Sequence, residues 1–87
     1  MSNLFFDLAK QLSEKTDTMV FDMLDKNGAE GCRSKAALAA RGFQLDAEST
    51  HEVGYSETAY ILRNINTKDE IARRTITVRG LEIFDCE

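Results

Sequence analysis

The sequence predicts an α+β fold: a long N-terminal amphipathic helix and a short second helix packed on an antiparallel sheet of three or four strands. Three observations lead there. Apolar residues recur at helical spacing through the first 27 positions, an alanine-rich segment follows between Gly31 and Gly42, and from Phe43 the chain turns to alternating and β-branched residues. Helices first and strands afterwards suit a sheet covered on one face. The connections between strands are of hairpin length, whereas parallel strands need crossovers of a dozen residues or more.

In the first segment Leu4, Phe5, Leu8, Leu12, Thr16, Met19, Val20 and Met23 recur every three or four residues. At 100° per residue they fill a sector of about 160°, the width of a core-facing stripe. Asp7, Lys10, Glu14, Asp17 and Asp25 fall opposite. The phase is kept through Ser13–Thr18, so one helix from about Asn3 to Lys26 accounts for the pattern, capped by Ser2 and ended by Asn27-Gly28. The rival reading starts a second helix at Asp17. Phe6 and Phe21 fall off the stripe and are assigned to a second layer or a partner.

Ser34 is a natural N-cap for a two-turn helix over Lys35–Arg41, and Gly42 is its stop. So short a helix must dock through Leu38 and its alanines. Phe43, Leu45 and Ala47 then alternate with polar residues, and Val53 and Tyr55 resume the pattern after an interruption at Ser49-Thr50. Thr58–Ile65 and Ile71–Arg79 are the strongest strand segments, joined by the polar link Asn66–Asp69. Gly80 ends the second of them, and Leu81, Ile83 and Phe84 supply a short edge strand. A winged helix is the alternative, with residues 58–79 as the wing. It requires a break in the first helix and a recognition helix longer than Lys35–Arg41.

The 87 residues make one domain, 1–87, with no proline, repeat or low-complexity linker. A hydrophobic fraction of 43% with a net charge of −4 excludes intrinsic disorder. No apolar run approaches the ~18 residues of a membrane span. The apolar start meets Asp7 at once, which does not suit a secretory signal, so a reducing cytoplasm is the expected setting. Cys32 and Cys86 are expected as free thiols, because disulfide-stapled small domains carry several bridges.

Charge is sorted along the chain. Gln44–Tyr60 holds four acids (Asp46, Glu48, Glu52, Glu57) and no Lys or Arg. Arg63–Arg79 holds five bases (Arg63, Lys68, Arg73, Arg74, Arg79) against Asp69 and Glu70. Glu82, Asp85 and Glu87 close the chain. Two readings follow: the blocks pair across adjacent strands, or one block stays unpaired and meets a partner of opposite sign.

Motifs of catalysis are missing: there is no phosphate loop, dinucleotide fingerprint, nucleophile elbow or paired-histidine metal motif. His51, the single histidine, has no nucleophile signature near it, and Cys32, His51 and Cys86 lack the close-spaced pairs of a structural zinc site. Asp46, Glu48 and Glu52 lack the dense alternation and central glycine of a calcium loop. No enzyme activity, metal or cofactor is expected.

The function expected is therefore that of a small acidic binding protein. It would act as a regulator or inhibitor by occupying the basic surface of a larger protein, with Asp46, Glu48, Glu52 and Glu57 as the contact residues. Phage-like accessory inhibitors that mimic nucleic-acid charge are the analogy. The alternative is a nucleic-acid-binding regulator using Arg63, Arg73, Arg74 and Arg79 with Tyr60 as a stacking platform, and a homodimer is a further option. An isoelectric point near 4.9 weighs against it.

Overall fold

The strands from Phe43 onward pair as an antiparallel meander beneath two helices. The computed structural model describes the backbone of Leu4–Arg79 and Glu82–Cys86 and the side chains of Lys10–Arg79. In chain order the elements are α1 (Leu4–Lys26), α2 (Lys35–Ala40), β1 (Phe43–Glu52), β2 (Tyr55–Asn64), β3 (Glu70–Arg79) and β4 (Glu82–Cys86), and the sheet order is β1-β2-β3-β4. The class is α+β with an antiparallel sheet. A winged helix is not formed: α1 passes through Thr16–Thr18 without a break, and β2 and β3 belong to one continuous sheet instead of a separate wing.

Backbone chemistry marks the ends of the helices. The N–H groups of Asn27 and Ala29 both donate to the Leu24 carbonyl (3.2 and 2.9 Å), with Gly28 between them at φ +90°. This left-handed residue reverses the chain, as expected of glycine after a last turn. Ser34 caps α2, its Oγ accepting from the Ala37 N–H at 3.1 Å. A fork from Arg33 to both carboxylate oxygens of Asp25 (3.1 and 3.2 Å) ties the intervening loop back to α1.

The core lies where the C-terminal half of α1, α2 and the sheet converge. Val20, Met23, Leu24, Ala29, Cys32, Leu38, Leu62 and Ile76 are buried there, with Phe21, Phe43, Leu45 and Tyr60 packed around them. This shifts the stripe read from the sequence. Leu12 and Met19 are half-buried, whereas Leu24, outside the stripe, is 1% exposed. The reason is that α1 has two neighbours. Its sheet side meets β3, and its flank toward Leu24 and Phe21 meets the loop and α2 through Cys32 and Leu38. A single sector of apolar residues describes contact with one layer only. Phe21 thus belongs to a second layer, with the Arg33 guanidinium 4.3 Å from its ring centroid. Leu4, Phe5, Phe6 and Leu8 lie outside the described side chains.

The strands also begin and end differently from their pattern. Ser49-Thr50 is no interruption: β1 continues to Glu52, and the chain reverses at Val53-Gly54, where Gly54 takes φ +71°. Tyr55 therefore starts β2 and does not continue β1. Thr and Ser fit an exposed strand surface, so the missing apolar signal reflects exposure and not a break. In the β2–β3 link the Asn64 Oδ1 accepts from the N–H groups of Asn66 and Thr67, and Lys68 adopts φ +66°.

Leu24 is buried and Leu12 half-buried, so truncation should separate them. Leu24→Ala is expected to cost about 2–5 kcal/mol, and Leu12→Ala about 1 kcal/mol or less. Urea denaturation of both variants measures the difference.

Candidate functional site

Residues of the sheet alternate between two faces, and the pairing register decides which charges meet. Leu45, Leu62 and Ala72 share one row on the face beneath the helices. On the opposite face the successive rows are Gln44–Arg63–Glu70, Asp46–Ile61–Arg73, Glu48–Ala59–Thr75, Thr50–Glu57–Thr77 and Glu52–Tyr55–Arg79. All four acids singled out from the sequence therefore lie on this second face. Of the four arginines, Arg63, Arg73 and Arg79 share it, while Arg74 sits on the helix side, 3.7 Å from Asp22.

The face divides into two regions. Toward the base of the hairpin, opposite charges interlock. Arg63 Nε donates to Asp46 Oδ2 at 3.0 Å and its Nη1 to the Lys68 carbonyl at 3.1 Å. The Gln44 amide donates to both Asp46 oxygens (3.0 and 3.2 Å) and accepts from Lys68 Nζ at 2.6 Å. Arg73 pairs with Glu70 at 2.9 Å. In the middle of this network Ile61, in register between Asp46 and Arg73, is fully buried although no helix lies over it.

Toward the tip the network stops. Glu48 and Glu52 are exposed and make no ion pair among the described residues. Glu57 accepts from the Tyr55 hydroxyl at 2.9 Å, and that carboxylate, with partial burial, raises the phenol above the ordinary tyrosine range. Arg79 lies over the Tyr55 ring, 5.8 Å from its centroid. On the other face of β1, Ala47, Ser49 and His51 are exposed as well. The half-strand Ala47–Glu52 is therefore exposed on both faces, and Val53 at its tip stands wholly in solvent.

The structure thus brings Glu48, Glu52 and Glu57 together on a projecting arm and engages Asp46 internally. Of the four arginines it keeps Arg63, Arg73 and Arg79 on the same face as these acids and sets Arg74 apart on the helix side. Tyr60 packs against the core and is no exposed stacking platform. Cys32 is a buried free thiol, its Sγ 3.7 Å from the Ala37 carbonyl, and Cys86 lies outside the described side chains. Among the described residues no group of three or more His, Cys, Asp and Glu is placed to hold a metal ion, and no helix is long and apolar enough to cross a membrane.

Sequence reasoning missed a groove of about 340 Å³ between α2 and the outer edge of β1, lined by Lys35, Leu38, Ala39, Phe43, Leu45 and Asp46 among others. Leu38 and the alanines were legible as docking residues. The space left beside them depends on how far a six-residue helix reaches over the strand.

Three carboxyls are held below their ordinary range: Asp46 by the Gln44 amide and then Arg63, Asp25 by Arg33, and Glu70 by Arg73. A lowered folded pKa favours the ionised native state, so this stability is complete above the unfolded carboxylate pKa, near ~4, and is lost as pH falls through the lower folded value. The urea midpoint should be flat from about pH 7 to 5 and fall below about pH 4. Asp46→Asn should be less stable at neutral pH, with the difference from the parent shrinking below about pH 4.

No family model, curated protein or solved structure matches this chain.

Proposed function

We propose that this is a non-enzymatic binding protein, a regulator or inhibitor acting in the cytoplasm, whose acidic β1–β2 arm contacts a basic surface on a larger protein. One observation carries the reading: Glu48, Glu52 and Glu57 share one face of an arm that the helices leave uncovered, and none of them makes an ion pair among the described residues, with Arg79 over the Tyr55 ring as the one arginine placed beside them. Three carboxylates against one arginine leave the arm with a negative surplus, whose potential steers a basic partner and selects against acidic ones. Asp46 contributes by position; its charge is balanced within the fold. The rival nucleic-acid reading has less support. Arg63 and Arg73 are already held by Asp46 and Glu70, and Arg74 faces the other way.

Immobilised protein should retain a basic partner from its native host, and the combined variant E48K/E52K/E57K should lose it. With the purified pair, the association rate should fall about 10- to 100-fold at low salt, and the deficit should shrink as ionic strength rises. Circular dichroism establishes folding beforehand. If R73E/R79E abolishes binding and the glutamate reversals leave it intact, the arm is not the working surface.

A further inference from the structure

The outer edge of β1 has a fixed hydrogen-bonding phase. The Ile65 N–H donates to the Gly42 carbonyl at 2.9 Å, and the register runs unshifted from Phe43↔Asn64 to Glu52↔Tyr55. Hydrogen-bonded pairs alternate along an antiparallel ladder, so the even residues of β1 bond to β2. The N–H and C=O groups of Leu45, Ala47, Ser49 and His51 therefore point outward, and their N–H groups donate to no protein atom among the described residues. The α2–β1 groove draws on Phe43, Gln44, Leu45 and Asp46, consecutive residues whose side chains alternate between faces. It accordingly runs along this open edge.

We propose that β1 accepts an extended segment of a partner protein as a fifth strand, and that this segment alternates apolar and basic side chains. This rests on the reading of the arm as an acidic contact surface and adds the mode and the partner chemistry. The added strand's residues opposite Leu45 and Ala47 project to the helix side, against Leu38 and Ala39. Those opposite Asp46 and Glu48 project to the carboxylate side. About seven residues, roughly 23 Å of extended chain, span Phe43 to Ser49.

A second copy of this chain is the less suitable occupant. Antiparallel self-pairing through the outward-facing odd residues sets even residues against even residues. Around the centre of the edge Glu48 then faces Asp46, another Glu48 or Thr50, the last register setting Asp46 against Glu52, and like charges directly opposite are destabilising. Charge complementarity favours lysine or arginine opposite Glu48, which makes no ion pair among the described residues.

The test uses three labelled heptapeptides, acetylated and amidated, with the intact protein. One alternates Lys and Val, a second has the same composition in blocks, and a third alternates Glu and Val. Fluorescence anisotropy measures affinity, and amide hydrogen exchange measures protection of Ala47 and Ser49. The alternating lysine peptide should bind about tenfold more tightly than the block peptide and slow exchange at both amides. Ala47→Pro removes an outward N–H without removing a ladder bond, and it should reduce alternating-peptide binding to the block-peptide level. Ala39→Trp, which fills the groove and leaves the edge intact, should weaken binding similarly and guards against a folding defect in the proline variant.

Equal, salt-sensitive binding of both lysine peptides, unaffected by Ala47→Pro, overturns strand addition and leaves the charge-based function standing. Binding of the glutamate peptide as tight as that of the alternating lysine peptide, and lost in Ala47→Pro, overturns the charge reading and leaves the edge. Absence of binding by any peptide, with unchanged exchange at Ala47 and Ser49, overturns strand addition.

Discussion

Ile61 and Leu62 are neighbours in the chain, project to opposite faces of the sheet, and are both fully buried. Keeping two consecutive strand residues dry requires cover on both sides of one place in the sheet. Helices α1 and α2 provide it over Leu62, and Ile61, in register between Asp46 and Arg73, is buried on the other face. The remaining architecture follows from that double cover. A shift of one residue in the β1–β2 register would set Asp46 among the helices and Leu45 in solvent, so burial fixes the pairing. The two-residue reversal at Val53-Gly54 is compatible with this register, and the projecting arm is the length of hairpin left beyond the covered part.

Electrostatics follows the same division. Among the described residues, sorting of charge along the sequence becomes an ion pair across strands at Asp46–Arg63 and within one strand at Arg73–Glu70. Solvent-accessible pairs of this kind contribute about 0–1 kcal/mol each, so they do little to hold the fold together. Their larger effect is to hold Arg63 to Asp46 and Arg73 to Glu70. An acidic surplus is left toward the tip, where Glu48, Glu52 and Glu57 outnumber Arg79 on the same face. Both readings of the charge blocks thus apply, each to a different half of one strand.

Much of the local structure was legible because it depends on short-range chemistry. Ser34 and Gly42 frame α2 through capping, and the β-branched run of β3 marks a strand whatever packs on it. The missed features depend on what lies across space. Leu24 sits outside the apolar stripe, yet it is buried because α2 and Cys32 flank α1, a contact between segments some ten residues apart that periodicity does not encode. Ser49-Thr50 looked like a break because strand signals weaken where both faces meet water. The four candidate acids were recognised as a group, but the separation of Asp46 from the other three depends on Gln44, Arg63 and Lys68, which only the pairing register brings beside it.

An uncovered strand edge invites unwanted pairing, and proteins commonly blunt such edges with charge. On β1 the blunting is of one sign. Mixed charges would discourage pairing with most strands, whereas carboxylates at alternate positions act selectively: they repel a second copy of the same edge and leave a basic strand unopposed. The charge that protects the edge in solution can therefore also select what joins it. Apolar contact at Leu38, Ala39 and Leu45 adds a second condition on the same partner, because only an alternating segment meets the groove on one face and the carboxylates on the other. Specificity arises from satisfying both faces at once, and that requirement comes from the period of the strand itself.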